Sequence, residues 1–77
     1  MKQLGRDMKR ARREQGMTQN DLAAQMQLLG MDVSCDRVRK LESGALRMSI
    51  DELFVLSSLL AWDLNYRAGA YIRAMAV

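Results

Sequence analysis

Three hydroxyl residues, Thr18, Ser34 and Ser49, each stand just before a short run in which apolar residues recur three and four positions apart. A side-chain oxygen at such a place accepts a hydrogen bond from the free N–H groups of a starting helix. Two of the three have an acid three residues on, Asp21 after Thr18 and Glu52 after Ser49. That acid can return a bond to the cap, and its charge suits the positive end of the helix. Glycines stand where two of the helices would stop, Gly16 and Gly44. A chain punctuated this often folds into short helices.

The spacing predicts five of them. The first covers about residues 2–15, with Leu4, Met8 and Ala11 on one buried stripe. The second follows Thr18 and turns Leu22, Ala23 and Met26 inward. The segment from Gln27 to Val33 reads as a long turn. The third runs over about 35–43, with Val38 and Leu41 buried and Gly44 as its stop. The fourth opens at Ser49 and carries Leu53, Leu56 and Leu60 on one face. Asp63 is expected to cap a fifth, in which Leu64, Ala68, Tyr71, Ile72 and Met75 share a side. Gly5 is read as a close-packing or fraying position, and Met8, Met17, Met26 and Met48 as core filler.

Composition agrees with an all-α fold. Proline is absent, aromatics are 5% of the chain, and β-branched residues are too few for a sheet. At 77 residues there is room for one small core. Residues 1–62 are expected to form the body of the domain, and 63–77 a C-terminal helix that covers it or joins two copies. Val55 and Leu59 lie off the stripe of the fourth helix. With Tyr71, Ile72 and Met75 they would leave an apolar patch unless covered. A homodimer covers it, and so does a fifth helix folded back on its own chain; Trp62 is expected at that corner.

Several function classes recede. With no His and one Cys, a zinc site and an internal disulfide are excluded, and no nucleophile, base and electrophile can be assembled. No enzyme, cofactor or metal is expected. Asp51 and Glu52 are better explained as helix-end acids than as a metal pair. The apolar runs are too short to span a membrane, and no export signal opens the chain. A lone thiol suits a reducing cytoplasm.

The net charge is only +3, but it is unevenly spread. Lys2, Arg6, Lys9, Arg10, Arg12 and Arg13 face Asp7 alone in the first thirteen residues. Arg37, Arg39, Lys40 and Arg47 form a second basic cluster. Between and after them lie stretches with acids only: Glu14, Asp21 and Asp32, then Asp51, Glu52 and Asp63. Two basic clusters in a mildly basic chain point to a polyanion. Arg10 and Arg13 are equally readable as a solvated helix face.

Four stretches carry a resemblance. They are Arg12-Arg13-Glu14-Gln15-Gly16-Met17-Thr18-Gln19, Asp21-Leu22-Ala23, Val38-Arg39-Lys40-Leu41-Glu42-Ser43-Gly44, and Asp51-Glu52-Leu53 on to Leu60. In this order and spacing the chain resembles the Cro/repressor-type helix-turn-helix regulators (the xenobiotic-response-element family) of bacteria and phages. The likeness covers about four fifths of the chain. Ala23 stands fifteen positions before Val38, so the turn around Leu28 to Asp32 is longer than in the commonest members, as in an extended-turn subgroup.

The resemblance implies a five-helix, lambda-repressor-like domain that binds double-stranded DNA at a near-palindromic operator, as a repressor or regulator near the nucleoid. By the family's pattern, Cys35, Asp36 and Arg39 sit where base edges are read. Arg39 is the strongest of these, since a guanidinium can bond O6 and N7 of guanine together. Asp36 would accept from cytosine or orient Arg39 or Lys40. Cys35 would touch a thymine methyl; a redox role for it is the lesser reading. Gln19, with Thr18, Ser34, Arg37, Lys40, Ser43 and Arg47, is placed for phosphates and general DNA contact. Arg12 and Glu42 match a structural ion pair. RNA polymerase or a cognate protein is a further expected partner. The alternative reading is an antitoxin or anti-regulator whose main work is protein contact.

Overall fold

The computed structural model describes residues 2–62. Over these residues the chain is all-helical, with α1 at Lys2–Glu14, α2 at Gln19–Leu28, α3 at Cys35–Ser43 and α4 at Ile50–Leu59. The predicted fifth helix, with Tyr71, Ile72 and Met75, lies outside the described residues.

Local chemistry explains the starts of α2, α3 and α4. The Thr18 hydroxyl accepts from the Asp21 N–H at 3.0 Å, and the Asp21 carboxylate accepts from the Thr18 N–H at 2.9 Å. Ser49 and Glu52 make the same reciprocal pair at 3.1 and 2.8 Å. Ser34 caps α3 by accepting from the Arg37 N–H at 3.2 Å. Gly44 ends α3 in the left-handed conformation (φ 81°), which a side chain would disfavour.

The connection between α2 and α3 differs from the expected turn at its start. Gln27 and Leu28 are helical, and the turn begins at Leu29. No breaker precedes Gly30, so the helix continues until the residue before it caps the end. The Gln27 side chain then closes the turn by donating to the Val33 carbonyl at 2.8 Å. Val33 itself is buried and pins the turn to the core.

One apolar cluster joins the helices. Met8, Leu22, Met26, Val38, Leu41, Met48, Leu53, Leu56 and Leu60 are all buried within it. A Leu or Met so placed contributes about 1.5–3 kcal/mol relative to exposure. Met17 is only half-buried at its edge. Leu60 stands just past the last turn of α4, yet its side chain remains in the core. Ser57 occupies a buried α4 position by donating to the Leu53 carbonyl at 2.7 Å.

α3 is held between α1 and α2, and α2 also meets α4. Against α1 the approach is unusually close. A Cβ on Gly5 would stand 2.5 Å from the carbonyl oxygens of Leu41 and Glu42. The close-packing reading of Gly5 therefore has a definite partner, the last turn of α3.

The apolar surface is not where the helical stripes predict it. Val55 and Leu59 are half-buried and pack against the core. On α4 the exposed apolar side chains are Ile50 and Phe54, the latter 54% exposed. Trp62 is half-buried, and with Asp7, Ala11 and Glu14 it lines a cleft between α1 and the end of α4.

Candidate nucleic-acid interface

The α3 rod presents two chemically different sides. Val38, Leu41 and Glu42 are buried beneath it. Asp36, Arg39, Lys40 and Ser43 are on the other side, where all four are exposed. Nine residues of helix are about 13 Å long and, with side chains, about 10–12 Å wide. That width matches a major groove of about 12 Å.

The underside is anchored by a polar cluster as well as by apolar contacts. Arg12 Nε donates to Glu42 Oε2 at 2.7 Å, and a second guanidinium nitrogen donates to Oε1 at 3.2 Å. The remaining terminal nitrogen of Arg12 donates to the Met17 carbonyl at 2.8 Å. Gln19 Nε2 donates to Glu42 Oε1 at 3.1 Å. Both charged side chains are buried. The end of α3 is thus tied to α1, to the α1–α2 turn and to the first residue of α2.

A second tie comes from Arg37. Its guanidinium donates to both carboxylate oxygens of Glu52, each at 2.8 Å. The family resemblance puts Arg37 among the DNA contacts; in the structure it is half-buried and joins α3 to α4. Burial pushes the Glu52 carboxyl up, but the bonds from Arg37 and Ser49 outweigh it and hold the group below its ordinary 4.5. The same bond raises the Arg37 guanidinium further. Glu52 therefore serves a cap and an ion pair at once.

On the outer side, Asp36 accepts from Arg39 and from Lys40, the latter at 3.1 Å. These bonds, Arg39 first, lower the Asp36 carboxyl. All three side chains remain about half exposed or more. Exposed pairs of this kind, one turn apart, stabilise only weakly. Such exposed pairs exchange readily with solvent, so neither Arg39 nor Lys40 is locked to Asp36.

The other predicted contacts are distributed as follows. Cys35 is half-buried and leans on the core, unlike Asp36 and Arg39. Thr18 and Ser34 use their hydroxyls as caps and are otherwise exposed. Ser43 donates to the Lys40 carbonyl at 3.0 Å and accepts from the Ala45 N–H at 3.3 Å. Arg47 is exposed in the loop after α3. Gln19 is half-buried, and its amide is spent on Glu42.

Among the described residues no helix is long and apolar enough to cross a membrane, and no cluster of three or more His, Cys, Asp or Glu could hold a metal. The chain matches no family model, no curated protein and no solved structure.

Proposed function

We propose that this chain is a sequence-specific binder of double-stranded DNA, an extended-turn helix-turn-helix regulator of the Cro/repressor type. The observation that carries the reading is the division of α3: a buried, doubly tied underside and an outer face bearing Asp36, Arg39, Lys40 and Ser43. Arg39 and Lys40 give that outer face the positive charge that attracts a duplex.

In this reading Arg39 reads guanine, with Asp36 orienting it or accepting from a neighbouring cytosine. Lys40, Ser43 and Arg47 meet phosphates, as do the exposed starts of α2 and α3 at Thr18 and Ser34. Gln19 braces Glu42. Arg37 acts indirectly, by holding α3 to α4. Bound at an operator, the protein regulates transcription by obstructing polymerase or by touching it.

A second copy of the chain fits the apolar residues of α4. Ile50 and Phe54 are exposed beside half-buried Val55 and Leu59. A two-fold pair would set two α3 rods about 34 Å apart, one turn of duplex. The competing reading, an antitoxin or anti-regulator, draws on Leu28 and Leu29. These are 80% and 56% exposed at the end of α2, a surface suited to a protein partner.

Selection from a pool of random duplexes decides between them. The DNA reading expects enrichment of a near-palindrome with half-sites about 34 Å apart, bound with an affinity that falls steeply with salt. A pool that emerges unenriched overturns it and leaves the protein-contact reading.

A further inference from the structure

The outer side of α1 is the most basic surface among the described residues. Lys2, Arg6, Lys9, Arg10 and Arg13 are all exposed. At 100° per residue they fall within an arc of about 100°, and Arg6, Arg10 and Arg13 within about 60°. An open groove runs along them, lined by Arg6, Lys9, Arg10, Arg13 and Glu14.

Four other cations among the described residues are ion-paired. Arg12 is paired with Glu42, Arg37 with Glu52, and Arg39 and Lys40 with Asp36. None of the five on the outer side of α1 makes an ion pair among the described residues. Five clustered, unpaired positive charges repel one another, a cost that a polyanion removes.

The chemistry of the surface narrows the partner. The apolar stripe of α1, Leu4, Met8 and Ala11, is buried. Among the described residues of α1 no apolar side chain shares the face of the five cations, so it lacks the anchors that hold a protein interface together. Nor has it a stripe to sink into a lipid boundary. Phosphates on a duplex need neither, because they are gripped by charge alone.

Orientation distinguishes this face from that of α3. Gly5 and Arg12 are α1 residues that meet α3. On the helix they lie about 110–130° from the centre of the Arg6–Arg10–Arg13 stripe. α3 in turn points Asp36, Arg39 and Lys40 away from its buried side. With α3 in a groove, α1 stands behind it and its arginines point elsewhere.

We infer that the Arg6–Arg10–Arg13 stripe of α1 is a second, sequence-independent site for the phosphate backbone of a separate DNA duplex, so that the protein joins two segments. This second site rests on the DNA-binding reading of α3 and adds to it a surface with a different job.

The test uses two duplexes of unrelated random sequence, one immobilised and one fluorescent, with the full chain added. Wild-type protein is expected to carry the fluorescent duplex to the immobilised one. Changing Arg6, Arg10 and Arg13 together to Gln should reduce that capture about tenfold or more, because each phosphate no longer neutralised takes about 0.9 off the log–log salt slope. Binding of one duplex in solution should change far less. The triple change to Lys keeps the charge and should keep the capture, which controls for folding. Capture that survives the Gln changes, or falls only in proportion to single-duplex binding, overturns the second site and leaves the α3 reading intact. If Arg39→Ala with Lys40→Ala leaves single-duplex binding unchanged while the α1 changes abolish it, the α3 reading fails and the α1 site stands. No binding to any duplex removes both.

Discussion

Changing Glu42 to alanine is expected to destabilise the domain by about 3–5 kcal/mol, the usual cost of removing one partner from a buried ion pair. Glu42 is only 6% exposed, and its carboxylate accepts from Arg12 twice and from Gln19 once. Without it the Arg12 guanidinium, itself buried, keeps only the Met17 carbonyl of these partners. Arg12→Ala should cost a similar amount, because it leaves the Glu42 carboxylate buried with Gln19 alone. A small domain often has about 5 kcal/mol in total, so either change should leave about 2 kcal/mol or less. Replacing both by apolar residues, Arg12→Met with Glu42→Leu, should recover most of the loss, since neither charge then needs a partner. Urea unfolding of the two single variants and the double variant checks this. A loss under about 1 kcal/mol in either single variant would mean that the pair is solvated as surface pairs are.

Gly5→Ala is the second large effect. One added methyl group on an exposed helix would normally help by about 1 kcal/mol. Here it would stand 2.5 Å from two carbonyl oxygens of α3, and 2.9 Å from a carbonyl carbon. These are backbone atoms, so no rotamer change can relieve the contact. α1 and α3 must part, which loosens the packing of Leu4 and Met8 and strains the Arg12–Glu42 bonds. The expected cost is about 3 kcal/mol, at the upper end for overpacking. Comparison with Gly5→Ser, which adds the same Cβ, separates crowding from helix propensity: both should fall together. Thermal unfolding in which Gly5→Ala melts at or above the wild type would show that α1 does not lie against α3 this closely.

Much of this architecture is legible because it is local. Thr18, Ser34 and Ser49 announce their helices through bonds reaching three residues on, and Gly44 ends α3 through its own backbone. The stripes Leu4–Met8–Ala11 and Leu53–Leu56–Leu60 are similarly short-range. What the pattern misplaces depends on tertiary packing. Arg37 and Glu52 are fifteen positions apart, and nothing in their spacing marks them as partners; Glu52 already has an explanation as a capping residue. α4 is apolar over so much of its circumference that pattern alone does not tell half-buried Val55 and Leu59 from exposed Ile50 and Phe54. The position of Cys35 at the first turn of α3 suggests an outward side chain, but the neighbouring core draws it in. A polar Gln27 reads as the start of the long turn, whereas its amide closes that turn from within the helix.

The same contrast bears on function. The polar anchoring of α3 could be anticipated only where the family resemblance supplied a pair, Arg12 with Glu42. Its second tie, to α4, emerges from the fold. Two ties to one short rod, one at Glu42 near its end and one at Arg37 near its start, fix both its tilt and its rotation. Base readout needs that rigidity, since a guanidinium bonds two atoms of one guanine only within a narrow range of geometry.

The most direct measurement compares Arg39→Ala with the wild-type protein on the duplex recovered by selection and on a random duplex at the same salt concentration. The expected outcome is a loss of about 1–3 kcal/mol on the selected duplex and little change on the random one. An equal loss on both would reduce Arg39 to a phosphate contact, and the exposed face of α3 would not be reading sequence.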